Sequence, residues 1–267
     1  ALRTGKKFGL PINPKALRKY DKRVKAIEKD NSDIVNKYSG YNEFIKFKKE
    51  YNSLVNDKDY YESIFRYQVS MILDFLKDNG FVNENYELTP LGIIAKEINE
   101  CNEVILSQVV YKGYLSNLSI EEIVGVISIF IQDSGNYDED LTISGLGLND
   151  NISDILRNIG SLSEEFADKE NFMIQKNDIY IYNDWNLHLS AVNASMMWAE
   201  KKTFHQVKQV YNSFEGNFIK NILRINNIVR ELITVAELIK DHTLLQKLIK
   251  LDDILVRDEV TVDSLYV

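Results

Sequence analysis

Lys220, Arg224, Asn227 and Glu231 recur at helical spacing within FEGNFIKNILRINNIVREL, the stretch from Phe214 to Leu232. Two cations, an amide and a carboxylate about one turn apart on one helix edge suit contacts to phosphates and base edges. An arginine there can also stack on a base. The same row suits the solvated side of an ordinary amphipathic helix, and spacing alone leaves both readings open. Placing residues about 100° apart gathers Phe218, Ile222, Ile225, Ile228, Val229, Leu232, Ile233, Val235, Ala236 and Ile239 on one broad side. Asn226, Arg230 and the four row residues fall on the other, interrupted by Ile219, Leu223 and Leu238. A helix that is apolar nearly all round is expected to be mostly buried.

Other chemistry is sparse. No GxxxxGK(S/T) phosphate loop occurs, and GLGLND does not complete a dinucleotide fingerprint. DEVT at 258–261 has the form of a helicase DExx box, but it stands at the end of the chain with no phosphate loop before it, so it is taken as chance. His188, His205 and His242 lack metal-ligand spacing. Cys101 has no basic neighbour in sequence that would mark a nucleophile. Acidic pairs such as Glu121/Glu122 and Glu164/Glu165 are what solvated faces of an acidic chain contain. No catalytic residue and no metal ligand is assigned.

The elements that must position the row are helices. The 267 residues are 45% hydrophobic, enough for a real core, and contain 3 Pro and 12 Gly, which favours long helices over tight turns. The net charge of -8 argues against nonspecific nucleic-acid binding, so any such contact must be local. One cysteine excludes an internal disulfide framework and fits a reducing compartment. No apolar run reaches the roughly 20 residues of a membrane span, EEIVGVISIFIQD being the most apolar. No signal peptide opens the chain; it begins with Ala, and both a fragment of a longer protein and a separately encoded chain fit the sequence.

The pattern predicts a Gly/Pro loop at GLPINP, helices over 14–30 and 41–56 with a break at NKYSGYN, and a helix from DYYESIF to Asn79-Gly80. Phe81–Val82 and Tyr86–Leu88 read as two short strands around a polar turn, and Thr89-Pro90 as the cap and first position of a helix. Helix, hairpin, helix fits a winged helix and equally an ordinary loop between bundle helices. Further helices are expected at 102–114, 119–133 (Ser119 and Glu122 forming a capping box), 151–170, 188–200, from Thr203, and over 216–240 and 242–254. QDSGNYDEDLTISGLGLND reads as an acidic loop, and MIQKNDIYIYN as a hairpin or irregular connection. The fold class is mostly α: a helical bundle over 99–267, preceded by a winged-helix-like segment over 61–98 and a charged helical arm over 1–60.

Several stretches resemble, in order, the C-terminal (DSHCT) domain of superkiller-like and exosome-associated DExH-box RNA helicases. LTPLGIIAKEI resembles the family's LTxKGRxACEI. NEVILSQVVYKGYLSNLSIEEIVGVISIFIQD resembles DELxLTExxFNGxFNDLxxEQxxALLSCFVF. MWAEKKTFHQVKQVYNSFEGNFIKNILRINNIVREL resembles xWAxGxxFxxIxxxTDxFEGSxIRxxRRLEELLRQL. VRDEVTVDSLYV resembles KRDIVFAASLYL. The likeness spans Leu88 to Val267; residues 14–87 resemble more loosely the returning arm of the family's arch and part of its winged helix.

The resemblance implies a helical bundle closing over the RNA path beneath two RecA-like motor domains, with the helix after FEGS as the ratchet helix. By position, the ratchet Arg is Arg224, and Lys220 replaces an Arg, keeping charge but losing the bidentate fork. Asn227 replaces an acid, and Lys201 replaces a Gly, so the turn there is expected to differ. Trp198 and Phe204 match and are expected in the core; Glu215 and Gly216 match as helix-start residues. The implied function is the RNA-path module of an ATP-dependent 3′–5′ RNA helicase in RNA processing or decay. The implied partners are single-stranded RNA, the motor domains and RNA-decay proteins, in the nucleus or cytoplasm. ATP and Mg belong to the missing motor domains. The Asn, Lys, Ile and Tyr content suggests an AT-rich genome, protist or viral. Two alternatives stand beside this reading: a non-enzymatic docking scaffold, and the equivalent domain of a DNA-unwinding relative.

Overall fold

The computed structural model describes residues 14–132, 141–177 and 183–261. The expected loop at GLPINP, the first part of the acidic loop, the 178–182 connection and the last residues lie outside them. The chain divides into two units, 1–67 and 68–267. Among the described residues there are ten α-helices and no strand of a sheet.

The first unit contains α1 (Pro14–Asp30) and most of α2 (Ser32–Asp78). Pro14 takes the first helical position, where its missing N–H costs nothing. The break expected at NKYSGYN is absent: α2 runs straight through Gly40. An interior glycine weakens a helix by only about 1 kcal/mol, and no proline lies between Pro14 and Pro90. The interruption falls earlier, at Asn31, whose backbone N–H still donates to Ile27 O at 3.0 Å. None of this unit's described side chains is buried.

In the second unit α2 ends where expected. Gly80 adopts φ 79°, its N–H donates to Lys77 O, and Phe81 N–H donates to Leu76 O, a Schellman cap. The two expected strands are a single antiparallel bridge, Val82 to Leu88, because the Asn83 side chain takes over the turn and accepts from the backbone of Asn85 and Glu87. Thr89 then caps α3 (Pro90–Lys96) by accepting from Gly92 N. A Cβ on Gly92 would stand 2.0 Å from Phe81 O, so only glycine lets the turn and α3 approach this closely.

The core is built around α5 (Ile120–Ser128), which follows α4 (Glu103–Tyr111) and packs on α6 (Asp150–Asn177), α7 (Val192–Ala199), α9 (Glu215–Leu238) and α10 (His242–Leu255). Its expected capping box is formed: Glu122 N donates to Ser119 Oγ and Ser119 N to the Glu122 carboxylate. Glu122 also accepts from Asn149, which caps α6. The apolar run of α5 is thus buried centre, and among the described residues no helix is long and apolar enough to cross a membrane.

The turn after α7 places its lysine in an unusual conformation. Lys201 adopts φ 62°, the left-handed conformation glycine favours, and completes a Schellman cap with Lys202 N on Met197 O. The short helix α8 (Phe204–Val207) opens with a second capping box, Thr203 and Gln206. Trp198 is fully buried: its Nε1 donates to Leu255 O at 2.9 Å, Phe218 and Phe204 meet it edge-on, and Arg257 lies 3.6 Å from its ring centre. DEVT forms one turn of 3₁₀ helix beside this cluster.

Candidate nucleic-acid interface on α9

The sequence of α9 dictates its placement. Phe218, Ile222, Ile225, Ile228, Val229, Leu232, Val235 and Ala236 are all buried, facing α5 and α10. One residue assigned to the polar side is in fact inside: Asn226 is buried. Asn221 is buried too, and its amide donates to the Tyr211 hydroxyl at 3.2 Å. Arg230 pairs with Asp252 of α10 at 2.8 Å, on a different edge from the row. Glu215 starts the helix and pairs with Lys208, and Gly216 has open space around it.

The row itself separates into two kinds of residue. Lys220 and Asn227 are exposed and make no hydrogen bond or ion pair with other described residues. Arg224 and Glu231 are half-buried and both hold the Asn99–Glu100 segment between α3 and α4. Arg224 Nε donates to Glu100 Oε1 at 2.9 Å and its Nη2 reaches Glu100 O at 3.4 Å. Glu231 Oε2, two turns further on, accepts from the backbone N–H groups of Asn99 (3.1 Å) and Glu100 (3.3 Å). Glu100 and Asn99 carried no signal in the sequence, because their partners lie more than a hundred residues away.

Arg224 and Glu100 also line a cleft of 320 Å³ whose other walls include Asn102, Gln132, Asp184, Trp185 and Asn186. Trp185 stacks on Phe166 and donates Nε1 to the buried Glu170 carboxylate, which fixes that wall. Cys101 lines the same cleft. Burial, and then the charges of Glu231, Glu103 and Glu100, push its thiol far above the ordinary range, so it stays protonated rather than nucleophilic. Among the described residues no group of three or more His, Cys, Asp and Glu is placed to hold a metal. The chemistry available on this edge is hydrogen bonding and stacking from guanidinium, ammonium and amide groups, beside the carboxylates of Glu100, Glu103 and Asp184.

Comparison with known proteins gives a consistent picture. Residues 85–262 match the model of the DSHCT (NUC185) domain. The chain is 26% identical over 199 residues to the antiviral helicase SKI2 of Saccharomyces cerevisiae, covering 73% of this chain and 15% of that protein. It is 24% identical over 196 residues to the DExH-box ATP-dependent RNA helicase DExH9 of Arabidopsis thaliana, covering 72% and 19%. It is 24% identical over 195 residues to the exosome RNA helicase MTR4 of Homo sapiens, covering 72% and 18%. The chain therefore spans less than a fifth of the length of these relatives.

Proposed function

Because the chain belongs to the DSHCT (NUC185) domain family, we propose that it serves as the C-terminal RNA-path module of an ATP-dependent 3′–5′ RNA helicase acting in RNA processing or decay. The observation that carries this reading is the exposed edge of α9. On a helix otherwise committed to the core, Lys220 and Asn227 have no protein partner among the described residues, and Arg224 borders an open cleft. Lys220 supplies a phosphate contact, Asn227 and Arg224 contacts to bases, and Glu231 holds the neighbouring loop. The chain has no phosphate loop and does not itself fit ATP; ATP and Mg²⁺ act, in this proposal, on RecA-like motor domains of the parent helicase.

In a motor-containing protein, Arg224→Ala is expected to slow unwinding more than it weakens initial RNA binding. Unchanged unwinding overturns the assignment of α9. A second reading, a protein-docking scaffold, is favoured by the exposed aromatic side chains along α1 and α2. The two separate in a salt titration: an RNA module binds single strands with a clear salt slope, whereas a scaffold shows none. Single-stranded DNA of the same sequence tests the DNA-unwinding alternative in the same assay.

A further inference from the structure

Arginine ordinarily meets a nucleic acid either through a phosphate, as a charge, or through a base, as a planar donor and stacking surface. Arg224 is already spoken for on one side. Its Nε donates to the Glu100 carboxylate, and Glu100 is not free to move away, since its own backbone N–H and that of Asn99 are held by Glu231 from the same helix. The Arg224 side chain is 40% exposed and that of Glu100 28%; the pair is neutralised within itself, and Nη1 makes no hydrogen bond with other described residues. Both residues line the 320 Å³ cleft, whose walls hold amides, the Trp185 ring and the further carboxylates of Glu103 and Asp184, with Arg224 as the cation.

From this arrangement we infer that Glu100, fixed by Glu231, is a positioning residue that cancels the phosphate-binding charge of Arg224 and presents the guanidinium to a nucleobase at the cleft. The inference rests on α9 facing RNA. A carboxylate at hydrogen-bond distance repels a phosphate that approaches the same guanidinium, and leaves stacking and Nη donation to a base intact. Lys220 differs: among the described residues no carboxylate partner neutralises it, so it contacts phosphate. Along one helix edge, one cation sets affinity through charge and the other acts through contact with the base.

The salt slope distinguishes these modes, because each phosphate contact on a single strand contributes about 0.7 to the slope of log K against log salt. The full chain is titrated with a labelled single-stranded RNA across a range of KCl concentrations. Lys220→Ala is expected to reduce the slope by about that amount. Arg224→Ala is expected to lower affinity several-fold with the slope unchanged. Glu100→Gln, nearly the same shape, releases the guanidinium charge and is expected to steepen the slope by about 0.7, whereas Glu100→Asp keeps the charge and the wild-type slope. Glu231→Gln, which loosens the loop without touching Arg224, moves the slope in the same direction by less. The steepening disappears in Glu100→Gln combined with Arg224→Ala. If Arg224→Ala reduces affinity but Glu100→Gln and Glu231→Gln leave the slope unchanged, or if Arg224→Ala itself flattens the slope, the inference is overturned while α9 remains the RNA contact. If neither Lys220→Ala nor Arg224→Ala alters binding, the reading of α9 fails and the inference with it.

Discussion

Two long helices of this chain, α2 and α9, follow opposite rules. Over residues 32–67 α2 carries Tyr38, Tyr41, Phe44, Phe47, Tyr51, Leu54, Tyr61 and Phe65, every one exposed. In α9 the isoleucines, valines and leucines of the inner face are withdrawn from water almost completely. Both have apolar residues at helical spacing, so periodicity alone does not separate them. What separates them is the company of each apolar residue. In α2 it is lysines, acids and tyrosines, whose hydroxyls tolerate water, and the phenylalanines and Leu54 among them stay exposed with them. In α9 it is branched aliphatic side chains whose free energy is gained only by leaving water, and α5 and α10 receive them.

The strongest way to break this comparison is to make the same kind of deletion in both helices. Ile228→Ala empties a fully buried site in α9 and is expected to cost about 2–5 kcal/mol. Phe47→Ala, at a ring 65% exposed, is expected to stay within about 0.5 kcal/mol. Trp185 and Trp198 both lie in the second unit, so tryptophan fluorescence during urea unfolding reports that unit directly. A shift of the midpoint by Phe47→Ala comparable to that by Ile228→Ala shows that the two units do not unfold independently.

A pH signature sharpens the α9 side. Burial first, and then the neighbouring carboxylates Glu231, Glu103 and Glu100, hold the Cys101 thiol well above its ordinary 9.0, with Arg224 opposing. The sign is fixed by proton counting. Above 9.0 the unfolded chain releases a thiol proton that the folded chain keeps, so the unfolded state binds fewer protons and stability falls as pH rises. The fall approaches about 1.4 kcal/mol per pH unit at most. Urea midpoints of the wild type and Cys101→Ala, compared at about pH 8 and pH 10, isolate this contribution from that of the other groups of the chain. The wild type should lose more stability than the variant; equal losses place the thiol in water.

How much of this could be read from the residues depended on range. The capping box of Ser119 and Glu122, the Thr89-Pro90 start and the Asn79-Gly80 stop are chemistry among near neighbours, and each forms as expected. The break at NKYSGYN does not, because one glycine costs about 1 kcal/mol, which the long helix on either side of it absorbs. The row of Lys220, Arg224, Asn227 and Glu231 was legible as spacing. Its division was not: Glu100 reaches Arg224 across 124 positions, and nothing local in either stretch marks the pairing. Asn226 misled for a related reason, since an amide near the edge of a helical wheel can face inward when a neighbouring helix covers it.

The ends of the two helices give the finest test. Both stop in a Schellman cap with a residue in the left-handed conformation: Gly80 at φ 79° after α2 and Lys240 at φ 59° after α9, where Asp241 N donates to Ala236 O. A side chain in this conformation costs roughly 1–2 kcal/mol, and an added Cβ on Gly80 meets nothing within 4 Å. Gly80→Ala therefore carries only the conformational penalty and is expected to destabilise by about 1 kcal/mol. Lys240→Gly removes the same penalty but loosens the unfolded chain, leaving a gain of roughly 0.5 kcal/mol. Thermal unfolding should lower the midpoint in the first and raise it slightly in the second. A loss in Lys240→Gly would mean that the lysine side chain contributes more at the end of α9 than its backbone conformation costs, and that the two caps, alike in geometry, are held by different forces.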